Sequence, residues 1–190
     1  MLVIIGKTAS GKTTLREKMV KEYGFNPIIT YTTRPMRKGE EEGKTYHYIT
    51  DEEFNEKIKE GFFAEYKEYN TKKGIWKYGS AKEDLINSDK SSIIILTPGG
   101  VEDIRKNLPE PEIDMKIIYV YSNLSTIKRR LFYRKDNKDE IERRINSDNI
   151  DFKNADILAD KIVYNNDEND LYEVIEKIIS LYKKMNERDD

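Results

Sequence analysis

Cysteine is absent from this chain of 190 residues, which excludes disulfide scaffolds, thiolate zinc sites, iron–sulfur clusters and thiol catalysis. Histidine occurs once, at residue 47, so histidine-based catalysis and transition-metal sites lack their ligands. Long apolar runs are also missing. The densest are four residues long (Leu2–Ile5, Ile93–Leu96, Ile117–Val120), against the roughly 18–20 needed to span a bilayer. Neither sign of charge dominates: 34 basic residues face 36 acidic ones, for a net charge of −2, so the broad basic footprint of a nucleic-acid binder is lacking. Any anion bound must be small and held by a local site. The first strand signal begins at residue 2 and leaves no room for a leader, so a cytoplasmic location is expected.

What is present is a chain long enough to bury roughly 70% of its unfolded surface in one domain. The apolar runs alternate with segments of helical period, the βαβα signature of a parallel sheet covered on both faces. Strands are expected at Leu2–Ile5, Ile28–Tyr31, Ser92–Leu96, Lys116–Tyr121 and Lys161–Tyr164. Helices are expected at Lys12–Tyr23, Asn123–Arg134, Lys138–Asn154 and Leu171–Met185. Residues 34–80 read differently: alternating runs at Tyr46–Ile49 and Phe62–Tyr69 flank a helix, Asp51–Glu60, that opens with the capping box Thr50–Glu53. A hairpin turn at Asn70–Gly74 then leads into Ile75–Tyr78. The expected fold class is therefore α/β, a parallel sheet flanked by helices with a small, mostly β insertion. The core comprises residues 1–33 and 81–190, and the insertion residues 34–80.

Residues 6–13, Gly6-Lys7-Thr8-Ala9-Ser10-Gly11-Lys12-Thr13, match G-x-x-x-x-G-K-[ST] in full, with a strand before and a helix after. Such a loop wraps backbone N–H groups around a phosphate, and its glycines permit the close approach and positive φ this requires. The helix N-terminus adds partial positive charge. The motif implies a nucleoside-triphosphate site, with Lys12 bridging the β- and γ-phosphates and the Thr13 hydroxyl on Mg²⁺. Thr14 and the rest of residues 6–13 complete the ATP-binding set.

The next motif runs Thr32-Thr33-Arg34-Pro35-Met36-Arg37-Lys38-Gly39-Glu40, then Gly43 and Tyr46-His47-Tyr48. It resembles the acceptor-binding signature of guanylate kinases, with Glu65 and Tyr78-Gly79-Ser80 further on; the likeness runs from residue 6 to Asn165. An acceptor monophosphate carries close to two negative charges. Arg34 and Arg37 offer planar forks for it, and Tyr46 and Tyr78 offer hydroxyl donors, although both are among thirteen tyrosines and could equally serve packing. The resemblance assigns these four to the acceptor phosphate and places Glu65, Thr30, Ser80 and Thr97 at the guanine and phosphate contacts of GMP. A carboxylate accepts from guanine N1–H and N2–H₂ together, whereas adenine turns an acceptor toward it. His47 is read as a strand residue on the exposed face.

Lys128-Arg129-Arg130-Leu131, Arg134 and Arg143-Arg144 are similar to the family's lid, placed at about residues 130–152. Positioned arginines stabilise the charge of a transferring phosphoryl group, and closure excludes water. Matched position nominates Arg130, Arg134 and Arg144 as catalytic beside Lys12 and Arg34, with Arg129 and Arg143 facing solvent. Asn165 is placed like the family's asparagine beside the adenine. Two features depart from the pattern. Ile95 and Thr97 stand where the family carries aspartates, and the segment from Glu65 to Tyr78 is about four residues longer than usual, with Lys72 and Lys73 in the added length. The implied activity is direct in-line transfer from MgATP to GMP, and dGMP, by a single-domain kinase that is a monomer or homodimer. The implied partners are small nucleotides, not nucleic acid or membrane. A kinase of another phosphorylated acceptor, such as a sugar bisphosphate, and a non-catalytic phosphopeptide-binding module are the alternatives.

Overall fold

The computed structural model describes residues 1–71, 74–108, 113–134 and 138–187. In chain order the elements begin with β1 (Leu2–Ile5), α1 (Lys12–Tyr23), β2 (Asn26–Pro27), β3 (Tyr31–Thr32), β4 (His47–Tyr48) and α2 (Asp51–Lys59). They continue with β5 (Phe63–Thr71), β6 (Gly74–Ala81), α3 (Lys82–Ile86), β7 (Ser92–Ile95) and α4 (Pro98–Asn107). The rest are β8 (Lys116–Tyr121), α5 (Leu124–Tyr133), α6 (Lys138–Asp151), α7 (Ala155–Leu158), β9 (Lys161–Tyr164) and α8 (Leu171–Asn186). They divide into two units: one holds residues 1–27, 90–98 and 115–190, the other residues 28–89 and 99–114.

The first unit is a five-stranded sheet in the order β2-β7-β1-β8-β9, every pair parallel. Its central strands read as continuous apolar runs because both faces are covered: all of β1 is buried, and so are Ile117–Val120 of β8. Leu15 and Met19 of α1 and Val174, Ile175 and Ile178 of α8 pack into that core. α1 stops where Gly24 takes a left-handed φ of 73° and its N–H closes on the Met19 carbonyl. α8 is capped by Asp170, whose carboxylate accepts from the Tyr172 and Glu173 amides.

The second unit is a four-stranded sheet, β4-β3-β6-β5, antiparallel except for the β3–β4 pair. Its core is aromatic: Phe54 of α2 stacks on Phe63 at 4.5 Å between ring centroids, and Tyr31 meets Phe62 and Phe63 edge-on. Gly79 is required there, since a Cβ would lie 2.9 Å from the Phe63 ring. The capping box forms as read: Thr50 Oγ accepts from the Glu53 amide, and the Glu53 carboxylate accepts from the Thr50 amide.

Three expectations need correction. The strand expected at Ile28–Tyr31 does not form: residues 28–30 link two short strands of different sheets, β2 before them and β3, which starts at Tyr31. Pro27 has no N–H to carry the β2 ladder further, and the aromatic cluster holds Tyr31 in β3. The helix expected over Lys138–Asn154 ends at Asp151, and α7 starts afresh after Asn154. His47 is only partly exposed: its ring lies 4.7 Å from that of Tyr31, and Nδ1 is 3.1 Å from Glu42 Oε1.

Candidate active site: two anion cradles

The loop between β1 and α1 has the geometry its composition demands. Gly6 admits no side chain, because a Cβ would sit 2.6 Å from both Ser10 Oγ and the Val120 carbonyl. Gly11 has φ 94° and lies against the Asn165 side chain, while Ala9 is held at φ 56°, a left-handed conformation that non-glycine residues rarely adopt. Lys12 folds back over the loop and donates to the carbonyls of Gly6 (2.6 Å) and Lys7 (2.8 Å). Burial pushes its ammonium down to about 8, against the Asp148 carboxylate, which pulls it up, while Arg134 pushes it lower still. Thr13 and Thr14 stand exposed at the start of α1. Ser10 Oγ is buried without a hydrogen-bond partner, so the loop carries a polar group that its own chain leaves unsatisfied.

The surrounding walls bear on this loop. Asn165, 4% exposed, donates from Nδ2 to the Ser10 carbonyl at 2.8 Å, which makes it a brace of the loop in this structure. Arg130 donates to the Ala9 carbonyl at 3.2 Å and lies 3.3 Å from Asp167. Arg129 also pairs with Asp167, at 2.8 Å, with its side chain largely exposed. Arg134 is the C-cap of α5. On α6, Arg143 and Arg144 both bond Glu140, whose carboxyl they hold at about 2 against the opposing effect of burial.

The second cradle lies wholly in the second unit. Arg34 is 4% exposed. Its guanidinium donates to Glu40 Oε1 at 2.8 Å and to the Pro35 carbonyl at 2.9 Å, and it bonds Tyr78. It lies 5.4 Å from the centroid of the Tyr46 ring and 5.9 Å from that of Tyr48. Glu40 ties the group together: Oε2 accepts from the Arg37 amide and the Tyr48 hydroxyl, both at 2.7 Å. Burial would raise the Glu40 carboxyl, but the donors from Arg34, Arg37 and Tyr48 outweigh it and hold it at about 2. The same network, led by the bond to Glu40, overcomes desolvation and raises the affinity of Arg34 for its proton. Arg37 itself is exposed.

The long β5–β6 hairpin keeps this cluster in register. Pairing is continuous from Thr71 opposite Gly74 to Glu65 opposite Ser80, so Tyr78 stays in place beside Arg34 and Tyr46. The added length therefore extends the hairpin away from Tyr78; Lys72 and Lys73 lie outside the described residues. Ser80 donates its hydroxyl to Glu65 Oε1 at 2.6 Å. Burial raises the Glu65 carboxyl; the Ser80 hydroxyl and Lys67 oppose it, while the charge of Asp103 adds to it. Asp103 lies one helical turn before Asn107 on α4, and Asn107 donates to the Ala64 carbonyl at 2.7 Å, which sets that face of the helix against β5. Thr30 contributes its backbone, its carbonyl accepting from the His47 amide at 2.9 Å. Thr97 belongs to the first unit, at the end of β7.

Side chains that organise these cradles also come from outside the residues singled out in the sequence. Asp148 on α6 accepts from the Thr8 amide at 2.7 Å, and its neighbour Asn149 accepts from Lys7 at 3.0 Å. Both partners lie about 140 residues back along the chain, and only the fold brings them together. Tyr48 stood in the Tyr46-His47-Tyr48 stretch of the motif, but its bond to Glu40, eight residues back, gives it a role the sequence had not assigned.

A model of the family described as guanylate kinase matches residues 1–182. The chain belongs to the guanylate kinase family. It is 29% identical to the guanylate kinase of Fusobacterium nucleatum over 184 residues, covering 93% of this chain and 95% of the relative. It is 29% identical to that of Thermus thermophilus over 169 residues, or 87% and 73% of the two chains. The crystal structure of guanylate kinase from Anaplasma phagocytophilum superposes with a TM-score of 0.71 at 21% identity, over 97% of this chain and 85% of that one, and carries the same fold. As a member of this family the chain is a nucleoside monophosphate kinase, a phosphotransferase, built on the parallel-sheet phosphate-loop fold. Among the described residues no helix is long and apolar enough to cross a membrane.

Proposed function

We propose that this kinase transfers the γ-phosphoryl group of MgATP directly to the phosphate of GMP, and also of dGMP, giving ADP and the guanosine diphosphate. The observation that carries this is the pair of separate anion cradles: a glycine loop with Lys12 on it, and a buried Arg34 ringed by Tyr46, Tyr48 and Tyr78. The first suits a triphosphate, and Ser10 Oγ, unsatisfied by the chain, supports it. The second suits a monophosphate ester, since a planar guanidinium and phenolic hydroxyls match its oxygens.

In this reading an oxygen of the acceptor phosphate attacks the γ-phosphorus and the bond to the β–γ bridging oxygen breaks. Lys12 follows the charge as it moves from γ- to β-phosphate. Arg130, Arg134 and Arg144 neutralise the equatorial oxygens, with residues 130–152 acting as a lid that excludes water. Among the described residues no cluster of three or more acids or histidines could hold a metal on its own. Thr13, exposed at the start of α1, is the residue that would hold Mg²⁺ brought in with the triphosphate. The ion's contribution when bound is to screen the phosphate charges from one another. Glu65 accepts from guanine N1–H and N2–H₂ beside Thr30 and Ser80, without the aspartates absent at Ile95 and Thr97. Residues 28–89 serve as the acceptor side.

The test is ADP release from MgATP with GMP, dGMP, AMP, CMP and UMP, beside a Lys12→Ala control. Turnover confined to GMP and dGMP and abolished in the control is the expected result. Turnover with none of the five despite measurable ATP binding would overturn the assignment of acceptor.

A further inference from the structure

The most unusual contact in the first unit is a carboxylate seated on the phosphate loop. Asp148 Oδ2 accepts from the Thr8 amide at 2.7 Å, within the electrostatic reach of Lys12 and Lys7. The next residue, Asn149, holds the Lys7 ammonium at 3.0 Å. Backbone N–H groups of such a loop, with a lysine over them, are arranged for an anion. Asp148 is the anion the chain itself supplies.

The helix that brings it has little else to hold it down. α6 has no buried residue, and only Ile141 joins the small apolar cluster of Ala9, Ile127 and Leu131. Its docking on the loop rests largely on polar contacts, which a more highly charged ligand can replace. A triphosphate brings several negative charges to the same donors. A carboxylate left in place beside them would be repelled through a partly dry gap, where screening is weak.

We propose that Asp148 sets the affinity of this kinase for its triphosphate: it holds the place of a phosphate on the ligand-free loop, and ATP binds by displacing it. The inference rests on the reading of residues 6–13 as the triphosphate site. Asp148 is thus a positioning residue of the free enzyme and an internal competitor of the donor. It lies four residues past Arg144 on the same helix, so the displacement also releases the segment that carries that arginine.

The decisive variant is Asp148→Asn, which keeps an oxygen to accept from the Thr8 amide but removes the charge. Asp148→Ala removes both. Dissociation constants for ATP and for inorganic tripolyphosphate are measured by calorimetry without acceptor, with and without Mg²⁺, and thermal midpoints are recorded for each ligand-free protein. The expected result is that Asp148→Asn binds both ligands about tenfold more tightly at a nearly unchanged midpoint, the gain shrinking in high salt. Asp148→Ala should gain similar affinity at a lower midpoint, since an amide is left uncapped. Unchanged or weaker binding of both ligands in Asp148→Asn would overturn the proposal and leave Asp148 a structural cap. Weaker binding of MgATP alone would overturn it in favour of a metal-side role. If the wild-type protein and Lys12→Ala bind tripolyphosphate equally, or neither binds it, the loop is not the triphosphate site and the proposal falls with that reading. If only the wild type binds it and Asp148→Asn matches the wild type, Asp148 alone has been misread.

Discussion

At residues 6–13 the groups proposed to bind an anion are backbone amides with Lys7 and Lys12, all within eight consecutive residues, whereas around Arg34 they are side chains drawn from residues 34, 46, 48 and 78. In both places a carboxylate of the protein already occupies the donors. Asp148 sits on the loop amide, and Glu40 sits on Arg34 and on the Arg37 amide. The occupants differ in kind. Glu40 is six residues from Arg34 and belongs to the same motif, so it braces an arginine that lies against the rings of Tyr46 and Tyr48. Asp148 comes from a helix far along the chain and covers the donors themselves. A backbone cradle needs only a local turn to form and can be blocked from anywhere in the fold. A side-chain cradle must be assembled by the fold, and its brace comes built in.

The largest effect expected from breaking this comparison is at Lys12, the side-chain cation folded back over the backbone cradle. Lys12→Ala should lower turnover by about 10²–10³-fold or more, the order seen when one positioned transition-state donor is removed. It should leave the midpoint of unfolding nearly unchanged, because the hydrogen bonds of Lys12 run to carbonyls of its own loop, Gly6 and Lys7. A loss of stability comparable to the loss of rate would mean that Lys12 supports the fold and not the phosphate.

Arg34 should show the opposite balance. Removing one member of a buried ion pair leaves the other uncompensated, so Arg34→Ala should cost about 3 kcal/mol of stability as well as raising the acceptor KM. Arg34→Lys should restore part of the stability and little of the acceptor affinity, since an ammonium cannot present a fork. Chemical denaturation and acceptor kinetics on the two variants separate the contributions. Equal rescue of both by lysine would reduce Arg34 to a structural cation.

How much of each cradle could be read beforehand follows from the same contrast. Gly6, Gly11, Lys12 and Thr13 were legible because the constraints on them are local: one close approach, one positive φ and one helix start. β1, α1 and β8 were legible with their boundaries, because burial on both faces or a glycine stop leaves a run that nothing else imitates; the bounds of β9 also matched, although Val163 is its one buried residue. Arg34, Tyr46 and Tyr78 could be named only through resemblance to a family, since nothing in their spacing says that the β3–β6 pairing brings them together. Asp148 and Asn149 left no trace, as their partners are set by the docking of α6. The single strand read at Ile28–Tyr31 failed for a related reason: β-branched and aromatic residues mark a strand but not which sheet receives it, and Pro27 parts the two.

Acid titration sharpens the comparison at Glu40. Its folded carboxyl titrates at about 2, below the ordinary 4.5, so the stability it contributes is complete above about pH 4.5 and is lost as pH falls toward 2. Glu140, held at about 2 by Arg143 and Arg144, has the same sign on the other unit. Glu40→Gln should flatten the acid limb of the stability profile in that window and weaken the acceptor, and Glu140→Gln should flatten it without touching the acceptor. An unaltered acid limb in Glu40→Gln would show that the Arg34–Glu40 bond contributes little to the folded state.

The smallest effect concerns Asp103, which bears on the acceptor cradle only through its charge. Burial is the main reason the Glu65 carboxyl is raised, and Asp103 adds to it while the Ser80 hydroxyl and Lys67 oppose it. In the proposed reading guanine N1–H bonds an ionised Glu65, so acceptor affinity should fall as pH drops through the Glu65 titration. Asp103→Asn takes away one influence that favours the neutral form, and the fall should therefore move to lower pH, by a small amount because burial remains. The profile of the GMP KM against pH, compared between wild type and variant, reads this directly. A profile that moves to higher pH, or an equal change with an acceptor that does not bond Glu65, would mean that α4 acts by holding β5 through Asn107 and not by the charge of Asp103.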